Sequence, residues 1–147
     1  MLYTTKSYKA TQKIGENLAK EIFKLTQKNS AVVLALSGNL GGGKTTFLQG
    51  FASGLGIKEK ILSPTFVILK HFKIANSDFD NFYHIDCYRL SSEKDISELD
   101  FAKIISDPKN IVAIEWPEKI EKALPKSLIK IDFKFIDENK REIKLEI

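Results

Sequence analysis

Apolar and polar positions follow two periods along this chain. From Thr11 to Lys28, Ile14, Leu18, Ala19, Ile22 and Leu25 recur at helical spacing, which predicts an amphipathic helix with Thr11 as its N-cap. Tyr3 to Tyr8 is a short first strand ahead of it. The run Ala31-Val32-Val33-Leu34-Ala35-Leu36 has no polar break and predicts a buried strand over 31–37. Residues 44–55 return to helical spacing, with Gly56 as a C-terminal cap. Residues 65–73 and 82–88 are rich in β-formers, and Asn76-Ser77-Asp78 supplies turn chemistry between them, the pattern of a hairpin. Ser92, with Asp95 three residues on, opens a further helix whose buried face is Ile96, Leu99, Phe101 and Ile104. Ile111-Val112-Ala113-Ile114 is another buried strand, ended by Glu115. The tail alternates: Ile129, Ile131, Phe133 and Phe135 against Lys130, Asp132 and Lys134, then Ile143, Leu145 and Ile147 against Glu142, Lys144 and Glu146. That predicts an antiparallel ribbon with one buried face. The expected architecture is α/β, one domain over residues 1–147, with a central mixed, mostly buried sheet of about seven strands.

Composition narrows the class. A chain of 147 residues with 43% hydrophobic and 29% charged residues suits one soluble globular domain. The longest apolar run is too short to span a bilayer, and Met1-Leu2-Tyr3-Thr4-Thr5-Lys6 lacks the apolar core of a signal peptide. Cys87 stands alone, which excludes a disulfide framework and a cysteine metal site. The expected compartment is the cytoplasm. The net charge of +4 is mild, and no dense Lys/Arg cluster with interleaved aromatics marks a nucleic-acid surface. Of 23 basic residues only Arg89 and Arg141 are arginine, the type kept where a planar bidentate group matters.

The chemistry concentrates at residues 38–45, G-N-L-G-G-G-K-T, which fit the phosphate-binding pattern G-x-x-x-x-G-K-[ST]. The context is a strand before and a helix after, which turns a motif match into a candidate site. A polyphosphate needs many donors at close range. A glycine-rich loop lets successive N–H groups point inward as an anion nest, and the following helix adds its positive dipole end. The expected nucleotide-binding segment runs through Gly38, Asn39, Leu40, Gly41, Gly42, Gly43, Lys44, Thr45 and Thr46. Lys44 reaches the β- and γ-phosphates of ATP, and the Thr45 hydroxyl ligates Mg2+.

Hydrolysis also requires an acidic group at the end of a neighbouring strand. Two apolar strands end in a carboxylate, at Asp86 and at Glu115. Both are candidates for holding magnesium or ordering water beyond the carboxyl ends of parallel strands. Thr65, in Ser63-Pro64-Thr65 after the loop helix, is a candidate switch residue that senses the γ-phosphate. Trp116 covers the site, faces a partner or packs under a loop; His84 shares a strand face with Asp86 and reads as structural, and Cys87 reads as core. The guanine-reading N-K-x-D pattern is absent, so adenine is favoured. Candidates to hold it are the segment around Thr11 and the C-terminal ribbon with Arg141. The catalytic set expected from these residues is Lys44, Asp86 and Thr65.

The segments G-N-L-G-G-G-K-T-T-F, S-P-T-F, Y-H-I-D-C-Y-R-L, I-E-W-P and a later L-P, in this order, resemble the bacterial TsaE (YjeE) family over nearly the whole chain. The family's usual loop begins G-D-L-G-A-G-K-T; here Asn39 and Gly42 replace the Asp and the Ala. The resemblance implies a P-loop ATPase needed for N6-threonylcarbamoyladenosine in tRNA, working with the TsaD–TsaB pair. It implies ATP or ADP as ligand, Thr45 and Glu115 as magnesium ligands and Lys44 on the phosphates. Thr65, Asp86, Arg89 and Trp116 match family motif positions. A small-molecule kinase and a non-catalytic nucleotide-dependent adaptor are the alternative functions. No arginine-rich lid of the kind a kinase closes with is visible.

Overall fold

The computed structural model describes residues 1–25, 29–39, 43–62, 69–91 and 93–147. Among these described residues seven strands form one sheet: β1 (Leu2–Thr5), β2 (Val32–Gly38), β3 (Leu69–Lys73), β4 (Asn81–Asp86), β5 (Asn110–Glu115), β6 (Ile129–Asp137) and β7 (Lys140–Glu146). Their order is β1-β7-β6-β2-β5-β4-β3. β2 pairs in parallel with both β5 and β6, and β5 in parallel with β4. β7 runs antiparallel between β1 and β6, and β3 antiparallel on β4. The sheet is therefore mixed, and the carboxyl ends of β2, β4, β5 and β6 share one edge. Among the described residues no helix is long and apolar enough to cross a membrane.

The apolar runs of β2 and β5 follow from burial on both faces. Leu34, Leu36, Ile111 and Ala113 join one cluster, together with Leu18, Ala19 and Ile22 of helix α1 (Tyr8–Phe23) and Phe47, Leu48 and Phe51 of helix α2 (Lys44–Gly54). Val33, Val112 and Ile114 face a second cluster. It holds Ile96 of the short helix α3 (Glu93–Ser97), Phe101 and Ile104 of α4 (Phe101–Ser106), and Ile120 of a 3₁₀ segment, Pro117–Ala123. α1 and α2 lie close together because small residues meet at the crossing. A Cβ built on Gly50 would stand 1.9 Å from the Gln12 carbonyl oxygen.

Several boundaries differ from the pattern reading. The first strand ends at Thr5, and Tyr8 is already helical. The N-cap of α1 is Ser7, not Thr11: the Ser7 hydroxyl accepts from the Ala10 N–H at 3.0 Å. Thr11 is buried inside the helix, and its hydroxyl meets that of Thr5 at 2.7 Å. The helix stops at Phe23, so Leu25 is exposed and not on the buried face. The expected helix after Ser92 is two short helices, broken where Asp100 takes a left-handed φ of 57°. Asp95 accepts from both the N–H and the hydroxyl of Ser91; Ser92 lies outside the described residues. The ribbon buries Ile129, Ile131, Phe133, Ile143 and Leu145, but Phe135 and Ile147 are exposed. Gly56 follows α2 with φ +82°, as a helix-ending glycine does.

Candidate functional site

The segment after β2 leads directly into α2. Gly38 ends β2 with φ +136°, and a Cβ there would lie 2.3 Å from the Phe133 carbonyl oxygen of β6. No other residue type fits this approach. Gly43 is the N-cap of α2 at φ +102°, with no side chain capping the helix. The first-turn N–H groups of α2 are thus left without an intrahelical or N-cap side-chain acceptor, facing the carboxyl edge of the sheet. Asn39 is exposed; Leu40, Gly41 and Gly42 lie outside the described residues, as does Thr65 with Ser63 and Pro64.

Lys44 opens α2 and is buried. Its Nζ donates to the Gly38 carbonyl oxygen at 2.7 Å and lies 4.3 Å from the centre of the Trp116 ring. Burial pushes its pKa below the ordinary lysine value, against the opposing pull of the Glu115, Asp86 and Glu118 carboxylates. Thr45 and Thr46 follow in the first turn, both half-buried.

The two strand-end carboxylates are paired in register, Asp86 of β4 beside Glu115 of β5. Asp86 accepts from the Tyr88 N–H at 2.9 Å. Burial raises its pKa above the usual carboxylate range, and the neighbouring Glu115 charge adds to the rise. Glu115 is 4% exposed, and its Oε2 lies 2.6 Å from Nε2 of His84, itself 1% exposed. Trp116 follows in a left-handed conformation, φ 57°, before Pro117. For a bulky residue that backbone is costly. It brings the indole over Lys44 and against Tyr88, with ring centres 5.1 Å apart.

The structure thus gathers Gly38, Gly43, Lys44, Asp86, Glu115 and Trp116 at one sheet edge. Thr11 lies beside them: a Cβ on Gly43 would be 3.6 Å from Thr11 Cγ2. Arg141 stands further off, in the row Thr5–Arg141–Phe135. Its guanidinium lies over the Phe135 ring at 4.6 Å and donates to the Asp137 carbonyl oxygen. Arg89 is exposed in the turn after β4, and Cys87 is buried as expected. The contacts Lys44–Trp116 and His84–Glu115 were not readable as pairs from sequence. Each joins segments far apart in the chain.

The donor set suits a small hard cation. One hydroxyl (Thr45) and one or two carboxylates (Glu115, Asp86), with the remaining positions filled by phosphate oxygens and water, is what magnesium accepts. Among the described residues no group of three or more His, Cys, Asp and Glu side chains could hold a metal ion by itself. The residues therefore fit a magnesium ion brought with a phosphate ligand and not an all-protein cage.

A family model described as "Threonylcarbamoyl adenosine biosynthesis protein TsaE" matches residues 5–143. The chain is 38% identical over 132 residues to the tRNA threonylcarbamoyladenosine biosynthesis protein TsaE of Rickettsia typhi, covering 89% of this chain and 87% of that protein. It is 40% identical over 111 residues to the Bacillus subtilis protein of the same name, covering 76% and 66%. Among solved structures, that of Bacillus subtilis YdiB superposes with a TM-score of 0.71 at 29% identity, over 97% of this chain and 82% of that one.

Proposed function

The chain belongs to the TsaE family of tRNA threonylcarbamoyladenosine biosynthesis proteins, and on that premise we propose that it is a P-loop ATPase whose nucleotide state acts on a TsaD–TsaB pair. One observation carries the reading: the Lys44 ammonium, the uncapped start of α2 and the register pair Asp86/Glu115 meet at the carboxyl ends of adjacent parallel strands. That is where open α/β sheets hold phosphate ligands.

The loop amides and the start of α2 bind the phosphates of ATP. Lys44 exchanges its bond to the Gly38 carbonyl for phosphate oxygens. Thr45 and Glu115 would hold magnesium, which would supply charge neutralisation for the phosphates. Asp86 orders the attacking water, with Thr65 as a second sensor of the γ-phosphate. Thr11 and Arg141 flank the adenine side. In-line attack then needs positioning and electrostatics rather than covalent chemistry. Turnover by the chain alone is slow, and the partner completes the site.

The test is phosphate release from ATP, with and without TsaD–TsaB, for wild type, Lys44→Ala and Glu115→Ala. The expected result is stimulation by the partners in wild type only, with ATP binding kept in Glu115→Ala and weakened in Lys44→Ala. Equal rates with and without the partners would remove the gating role. A phosphorylated small product without matching free phosphate would point to a kinase. A Glu115→Ala chain that still supports tRNA modification would reduce the protein to a nucleotide-dependent adaptor.

A further inference from the structure

Glu115 is almost fully buried, and a buried carboxylate needs a donor. Among the described residues its one hydrogen-bond partner is His84. β4 and β5 run parallel, with His84 beside Ala113 and Asp86 beside Glu115. His84 therefore stands one pleat behind the carboxylate pair, on the same face of the sheet. The Glu115 side chain folds back to it, and Oε2 meets Nε2 at 2.6 Å with both side chains almost fully buried. The other ring nitrogen, Nδ1, is buried with no hydrogen-bond partner among the described residues. The assignment that leaves no buried N–H unpaired puts the ring hydrogen on Nε2, donated to Glu115, and leaves Nδ1 as an acceptor. A structural histidine serving only to fill space would not need a short bond to the one carboxylate that ends β5.

Glutamate has three side-chain torsions, so a carboxylate at a strand end has several ways to miss a ligand. One donor on one oxygen removes most of them. Oε1 has no hydrogen-bond partner among the described residues. We propose that His84 is a positioning residue: by holding Oε2 of Glu115 it presents Oε1 as the oxygen offered to nucleotide-bound magnesium. This rests on the nucleotide reading above and deepens it. Residues that orient a ligating group typically cost about 10–100-fold in metal affinity when removed.

The experiment is calorimetric titration of ATPγS into wild type, His84→Gln, His84→Asn and His84→Leu, in EDTA and across a series of MgCl2 concentrations. The loop and Lys44 are untouched, so all four chains should bind ATPγS alike in EDTA. Wild type should gain affinity as MgCl2 rises. His84→Gln places an amide N–H near the position of Nε2 and should keep that gain. His84→Leu should need at least about tenfold more MgCl2 for the same gain, and so should His84→Asn, whose shorter amide falls short of Glu115. If His84→Leu fails to fold, the Gln and Asn chains still decide the matter, since both are polar and only one reaches. Superimposable MgCl2 curves for Gln and Asn overturn the proposal, and so does a wild type indifferent to MgCl2. A wild type that binds no ATPγS in any condition instead removes the nucleotide reading beneath it.

Discussion

The ammonium of Lys44 stands over the indole of Trp116, 4.3 Å from the ring centre, while donating to the Gly38 carbonyl oxygen. The cation is thus held by a ring face and a main-chain carbonyl, both of which it can leave for a stronger acceptor. Trp116 is the only tryptophan in the chain, so its emission reports this one contact.

ATP binding should therefore change Trp116 fluorescence. Lys44→Met should abolish the change and weaken ATP binding about 10–100-fold, the worth of one charge-assisted hydrogen bond. Fluorescence titration measures both. Unaltered emission at saturating ATP would mean that Lys44 does not leave the ring.

Asp86→Asn should separate stability from activity. Burial and the Glu115 charge raise the Asp86 pKa, so its ionised form works against the fold. A raised folded-state pKa costs nothing below the unfolded value and acts in full above the folded one. The Asn chain should match wild type in acid and be more stable at neutral pH, with a higher Tm. Its amide oxygen can still accept from the Tyr88 N–H. ATP hydrolysis should fall at least about 100-fold, the scale of a lost acid–base group. Thermal melts from pH 3 to 8, run beside phosphate-release assays, test both halves; equal melts throughout would contradict the electrostatic reading.

Gly50→Ala should damage the site from a distance. Its Cβ would meet the Gln12 backbone at 1.9 Å, so α1 and α2 must separate. Overpacking of this kind typically costs about 1–3 kcal/mol. α2 carries Lys44, so ATP affinity should drop along with the urea midpoint. A chain with wild-type urea stability would show that the crossing is looser than described.

Cys87 should be inert toward Ellman's reagent in the native state near neutral pH. Its thiol is fully buried, and burial pushes its pKa from 9.0 up to about 12. The raised value means the folded chain holds this proton more tightly than the unfolded one. Stability should thus be undiminished by Cys87 below about pH 9 and fall as pH climbs toward 12, by up to about 1.4 kcal/mol per unit. A Cys87→Ala chain should lack this alkaline slope in urea unfolding.

Much of the fold was legible because burial on two faces leaves an unbroken apolar run. Ala31–Leu36 and Ile111–Ile114 could be little else, and the alternation from Ile129 marked a ribbon. Local caps were less legible. Thr11 has the chemistry of an N-cap, yet Ser7 takes that position and the Thr11 hydroxyl is spent on Thr5, a tertiary contact. The break at Asp100 carries no proline or glycine to announce it. Within the site, the carboxylates were readable because strands end on them. The partners were not: His84 meets Glu115 only through the register of β4 on β5, and Trp116 meets Lys44 only through a left-handed backbone turn.

The central place of β2 bears on how the chain matures. The strand that launches the loop is flanked by β5 and by β6, whose residues lie almost a hundred positions downstream. Leaving the ribosome, Leu34–Gly38 has an unzipped border until Ile129–Phe133 emerges. Such late, long-range pairing is slow. Nascent copies interrupted before that point expose an unpaired, apolar strand border, the kind of surface that invites aggregation.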